Sequence, residues 1–272
     1  MASSHWHWDH TGSPSTLPPT TALIVGPGFK KTYIPGYPRN KDSPILEADY
    51  TGRDLIEIDF PPSSSQKPPL RVGRFPAHDY FGDGSFYLLD SPGHAIGHLC
   101  GLARTTTTCN QPASGRHRSS TFIFMGGDAC HHGGEFRPTP YLPLPAHISP
   151  NPLIPHSPHP CPGALFEAIH RHKSSTEPFF EVADLPGGKG AAHDVEETVS
   201  TIGKLEEVDA DPDVFVVVAH DDSLKEVVDF FPKGANVWRE KGWGEKGRWG
   251  FLRDFREAVE EEKRDRGGQV EA

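Results

Sequence analysis

The chain is poor in cysteine, in positive charge and in long apolar runs. Four cysteines occur among 272 residues, Cys100, Cys109, Cys130 and Cys161, and no two form a C-x-x-C pair. That spacing argues against a disulfide framework or a thiolate zinc site, and it fits a reducing, cytoplasmic setting. Lysine and arginine number 27 against 37 acidic residues, a net charge of −10. Such a surface repels phosphate backbones and anionic lipid, so neither nucleic acid nor membrane is an expected partner. No apolar stretch reaches the ~18 residues that span a bilayer. No basic and apolar leader opens the chain. Gly26-Pro27-Gly28 is a turn without the G-x-G-x-x-G or P-loop pattern, so no nucleotide is implied. Repeats at solenoid or propeller periods are also lacking.

What is plentiful is histidine, 16 residues, together with 28 glycines and 28 prolines. Histidine is the usual nitrogen ligand of borderline metals, and glycine with proline means many loops. The length suits a single domain over residues 1–272, with a proline-rich loop insertion at about 129–163 that reads as a lid or substrate wall. Apolar runs predict strands at 22–26, 54–60, 70–75, 85–90, 99–105, 121–125 and 214–219. Helical spacing predicts helices at 165–172, at 194–208 and at 249–264, and one capped by Ser223 that carries Leu224, Val227, Val228 and Phe231. Residues 27–48 read as loop. Strands first and most helices later make an α+β fold.

The densest chemical signal is His5-Trp6-His7-Trp8-Asp9-His10. In an extended segment residues two apart point the same way, so His5 and His7 can face one metal. Trp6 and Trp8 then point away and can anchor the loop in apolar packing. Asp9 and His10 follow as the chain turns. Three more candidates stand at strand ends: His94 after Ser91-Pro92-Gly93, Asp128 after Gly126-Gly127, and His220 after Val214–Ala219. Strand ends on a sheet are where active sites are built.

These residues carry a resemblance. HWHWDH is similar to the H-x-H-x-D-H pattern of the metallo-β-lactamase superfamily, SPGH to its P-G-H turn, GGDA to its bridging aspartate and VVAHD to its late histidine. The likeness runs from residue 5 to residue 221, and HHGGEFRP and GWGEKGRW resemble fungal members. It implies a four-layer αββα sandwich with metals at one edge of the two sheets. It also implies that His5, His7 and His94 hold one metal, that Asp9, His10 and His220 hold the other, and that Asp128 bridges them. Nitrogen and carboxylate donors suit two Zn²⁺, with Fe or Mn possible. Two such ions sharing a carboxylate can hold a water between them and lower its pKa toward neutrality, so that it gives a hydroxide. Family members carry some tens of residues before the motif. Four stand here, so either the sequence is truncated or the first sheet is incomplete.

The expected reaction is hydrolysis of a small cyclic ester or amide, lactonase-like or lactamase-like, with Asp9, Asp128 and His131 as catalytic groups. His131 falls three residues past the bridging aspartate, where lactone-hydrolysing relatives place a side chain at the substrate carbonyl. It reads equally as a structural residue. His98 reads as a buried residue behind the ligands. Glu135 and Arg137 fit a loop-stabilising or a substrate-facing role. Phe29, Tyr33 and Tyr37 read as core filler ahead of a substrate wall. The alternatives are a thioester hydrolase of the glyoxalase II type, against which the acidic C-terminal tail argues, and a truncated, non-catalytic remnant. The charge disfavours nuclease members, and His7 stands where flavodiiron types carry glutamate.

Overall fold

The computed structural model describes residues 1–61, 69–107, 120–183 and 192–268. They divide into two compact units. Met1–Arg104, Phe122–Ala129 and Val182–Lys204 form the first, and Thr105–Thr121, Cys130–Glu181 and Leu205–Ala272 the second.

The first unit opens with the short helix α1 (Trp8–Thr11), β1 (Leu23–Val25), the helices α2 (Phe29–Tyr33) and α3 (Glu47–Tyr50), and β2 (Leu55–Glu57). Leu-Ile-Val is a β-branched, fully buried run, and it pairs in parallel with β2 through Leu23↔Leu55, Ile24↔Ile56 and Val25↔Glu57. On its other edge Ala2 makes a bridge to Ile24. Among the described residues, that pair and bridge are all there is of the first sheet. The second sheet holds β3 (Arg71–Val72), β4 (Phe75–Asp79), β5 (Phe86–Asp90), β6 (Leu99–Thr106) and β7 (Thr121–Met125), in that spatial order. The β3–β4, β4–β5 and β5–β6 pairs are antiparallel. The strand expected at 70–75 is instead two, because Gly73 adopts φ +54° and reverses the chain.

Layering follows from which faces are apolar. Ile24 and Ile58 meet Leu88 of β5 and Leu99 of β6, so the two sheets pack face to face. On the outer face of β1, Leu23 and Val25 meet Phe29 and Tyr33 of α2. Residues 27–48, expected as loop, thus contribute a covering helix; its five residues are too few to show a helical period. The far face of the larger sheet takes the first part of α5 (Val195–Asp209): Lys204 lies over the Phe75 ring at 5.7 Å and Arg74 donates to Gly203 O at 2.7 Å. Helix, sheet, sheet and helix are the four expected layers.

The second unit contains the antiparallel pair β8 (His147–Ile148) and β9 (Cys161–Pro162), then α4 (Ala164–Ile169), the end of α5, β10 (Val214–Val217), α6 (Trp243–Gly247) and α7 (Arg256–Gly268). The proline-rich segment buries Leu144, Ile148, Leu153 and Cys161 in a core with Phe166, Phe251 and Leu252. It is thus core-forming, although it lacks a readable period. The helix expected after Ser223 is a single 3-10 turn, Asp222–Leu224, and Asp221 rather than Ser223 supplies the cap. Phe231 is 96% exposed; it precedes Pro232, which disfavours helical backbone there. The expected helix at 249–264 starts as a 3-10 turn, Gly250–Phe255, before α7. Arg137 is buried and clamps both oxygens of buried Asp209 at 2.6 Å, so its guanidinium is committed to holding the unit together. No helix among the described residues is long and apolar enough to cross a membrane.

Candidate metal centre

The histidine motif is held between the two sheets of the first unit. Ser3 N–H donates to Ile24 O at 3.0 Å, and Leu99 N–H donates to Ser4 O at 2.8 Å. One backbone turn from β1 to β6 therefore fixes where His5 begins. His5 is buried, and its Nε2 lies 2.8 Å from His7 Nδ1. The chain then coils into α1, with His10 N–H and Thr11 N–H donating to His7 O.

His94 arrives from the end of β5 by a turn that only glycine allows. Gly93 has φ +126°, and a Cβ there would stand 2.3 Å from the Thr198 backbone nitrogen. The same turn accepts from the start of α5: Asp194 N–H donates to Gly93 O and His193 N–H to His94 O, both at 2.9 Å. Asp128 arrives from the end of β7 past Gly127, which has φ +52°.

These elements bring four donors together. His94 Nε2 lies 3.2 Å from His5 Nε2 and 3.0 Å from His7 Nδ1. Asp128 Oδ2 lies 3.5 Å from His94 Nε2 and 3.7 Å from His5 Nε2. All four ligand atoms fall within 4.8 Å of one another. Donors held ~2.0–2.1 Å from a tetrahedral zinc stand ~3.3 Å apart, so the spacing fits. Three converging imidazole nitrogens cannot all share protons pairwise, whereas a cation satisfies every lone pair at once. Burial and the neighbouring His98, His94 and His10 lower the His5 pKa to about 2, so this ring presents a lone pair at neutral pH.

Asp128 also serves the other half of the motif. Its Oδ1 is 3.1 Å from His10 Nε2, which is 3.5 Å from Asp9 Oδ2. His98 has no exposed surface: Asp128 N–H donates to its Nε2 at 3.1 Å, and its Nδ1 lies 3.0 Å from Ser91 O. That pair of bonds sets the His98 tautomer and anchors the Asp128 backbone. Trp6 packs beside Tyr33 at 5.6 Å, as expected, but Trp8 is 87% exposed, because the turn of α1 swings it out of the apolar layer. Phe29 and Tyr33 are core residues, and Tyr37 is half exposed.

His220 and His131 belong to the second unit. His220 follows β10 in left-handed backbone, φ +67°, and its ring stacks on that of His131 at 5.9 Å and 14°. The His131 N–H donates to Glu135 Oε2 at 2.9 Å, so Glu135 stabilises that loop. Sequence reasoning passed over Ser4 and Ser91. The available signal was a small hydroxyl residue next to each histidine turn.

A thiol-poor cluster of imidazoles and carboxylates at the strand ends of an αββα layer structure defines a candidate metal centre in a protein of the α+β class. Comparison with known proteins narrows this. No family model matches the chain. Gamma-lactamase MBL2 of Gibberella moniliformis is 49% identical over 199 residues, 73% of this chain and 77% of that protein. Gamma-lactamase FDB1 of Fusarium pseudograminearum is 50% identical over 269 residues, 98% of this chain and 60% of its own length. A solved single-site mutant of AiiA from B. thuringiensis, with N-decanoyl-L-homoserine bound at its active site, aligns at TM-score 0.46 and 16% identity, covering 85% of this chain and 59% of that one. The chain belongs to the metallo-β-lactamase superfamily. It spans 60% of the length of its relative FDB1.

Proposed function

We propose that this chain is a metal-dependent hydrolase that opens a small cyclic amide or ester, with a lactam the favoured substrate. The observation that carries the reading is the four-donor cluster of His5, His7, His94 and Asp128. The names of the relatives, gamma-lactamases, support the choice of ring. Zinc suits the donors. His5, His7 and His94 would hold one ion, Asp128 would be shared, and Asp9 and His10 would serve a second. His220 is proposed as that second ion's further ligand on the sequence pattern alone.

A bound divalent ion supplies Lewis acidity, which acidifies water and polarises a carbonyl. The chain's own groups do the rest. Asp128 is buried and anchored through its backbone by His98, so its carboxylate is oriented before substrate arrives. The Asp9 side chain is 37% exposed, which gives it the access needed to carry a proton to the leaving nitrogen or oxygen. His131 is assigned to the substrate carbonyl as a donor. The substrate is a small molecule, and the acidic chain is not expected to take nucleic acid. Its cysteine pattern suits the cytoplasm.

The test is metal quantification of the purified chain, followed by γ-lactams, lactones and thioesters. Two zinc per chain and turnover of a γ-lactam are expected. A metal-free, inactive chain would overturn the reading. Asp128→Ala is expected to lose at least one metal and nearly all turnover; full metal content and wild-type rate in that variant would reject its bridging role.

A further inference from the structure

Ser4 stands immediately before the motif and turns its hydroxyl toward two of the motif's rings. Its Oγ lies 3.2 Å from His5 Nδ1 and 3.2 Å from His10 Nδ1. The far nitrogens of the same rings face the two oxygens of one carboxylate: His10 Nε2 is 3.1 Å from Asp128 Oδ1, and His5 Nε2 is 3.7 Å from Oδ2. One hydroxyl therefore sits behind imidazoles that serve both halves of the centre. Its place is rigid, because Ser4 O accepts from Leu99 N–H on β6, and Ser3 is tied to Ile24 on β1. Gly127 packs alongside, where a Cβ would lie 3.3 Å from the Ser4 Cβ.

The hydroxyl has two acceptor lone pairs and a single proton. A neutral imidazole keeps its proton on one nitrogen and binds a cation through the other. If Ser4 gave its proton to either Nδ1, that ring would carry its own proton at Nε2, and its ligand atom would be blocked. We propose that Ser4 is a positioning residue whose Oγ accepts Nδ1–H from His5 and His10 together. Both rings are thereby held in the tautomer that frees Nε2 for a cation. The inference rests on the reading of this cluster as a metal centre, and it adds that one side chain sets the protonation of two ligands at once.

The experiment compares Ser4→Ala and Ser4→Thr with the unaltered full chain. Zinc affinity is measured by chelator competition, and histidine ring protons are followed by NMR in the zinc-loaded state. Loss of a group that orients metal ligands costs about 10–100-fold in affinity, and that loss is expected for Ser4→Ala with unchanged circular dichroism. Ser4→Thr keeps the hydroxyl and is expected to recover most of it. The loaded wild type is expected to show Nδ1 protons on both His5 and His10 that exchange slowly, and both exchange faster in Ser4→Ala. Wild-type zinc affinity in Ser4→Ala, no recovery in Ser4→Thr, or a proton on Nε2 of either ring would overturn the proposal. A wild-type chain that binds no zinc instead refutes the metal centre, and the role of Ser4 falls with it.

Discussion

His131 is the residue at which the proposed chemistry is most exposed to test. Its backbone serves Glu135 and its ring stacks on His220, so the side chain is placed without being buried. His131→Ala is expected to lower turnover, with metal content unchanged; metal loss in that variant would make it a ligand instead. Asp90 behaves differently. Burial raises its pKa from 3.8 to about 6, with Lys204 pulling down and Glu197 adding to the rise. Below about pH 4 it is protonated whether the chain is folded or not. Between about pH 4 and 6 the folded chain keeps a proton that the unfolded chain has released, so this contribution to stability falls as pH rises. Asp90→Asn is expected to stabilise by on the order of 2 kcal/mol at about pH 7 and by almost nothing at about pH 3.5, read from urea unfolding at both pH values. Equal gains at the two pH values would contradict that account. At this scale much of the centre was legible, because six consecutive residues carry four donors. The outward turn of Trp8 was not, because it depends on where α1 begins.

Among the elements, the turn between β5 and β6 governs the site. Gly93 joins a positive φ to a 2.3 Å approach to the Thr198 nitrogen, and its carbonyl holds the start of α5. Gly93→Ala is expected to destabilise by about 1–3 kcal/mol and to weaken zinc binding, since His94 must shift with the turn. An unchanged melting temperature together with unchanged zinc affinity would show that the turn yields freely. Strand β7 spans the expected residues 121–125, and α5 is displaced by one residue from expectation. Long or strongly apolar runs declare their own period. Short elements such as α2 do not, since five residues cannot display a helical repeat. The 70–75 run looked continuous because a glycine in a strand and a glycine in a reversal are the same letter.

For the molecule as a whole, the informative feature is that each unit has its own core. In the second unit, Arg137 and Asp209 form a buried, two-bond ion pair, and Arg137 also donates to Arg248 O at 2.8 Å. Removing one partner leaves a charge without compensation, so Asp209→Ala is expected to cost about 3–5 kcal/mol in denaturant unfolding. A loss below ~1 kcal/mol would mean that water or another group replaces the carboxylate. The sequence by itself determined the α+β class and the superfamily, and it carried the candidate donors of the first unit, since residue type and spacing are written along the chain. Tertiary structure decided that Arg137 is structural, that the proline-rich segment forms core, and that Ser4 lies behind the rings of His5 and His10. Each of these depends on contacts between residues far apart in the chain, and such contacts form only when burial of apolar faces brings distant strands together.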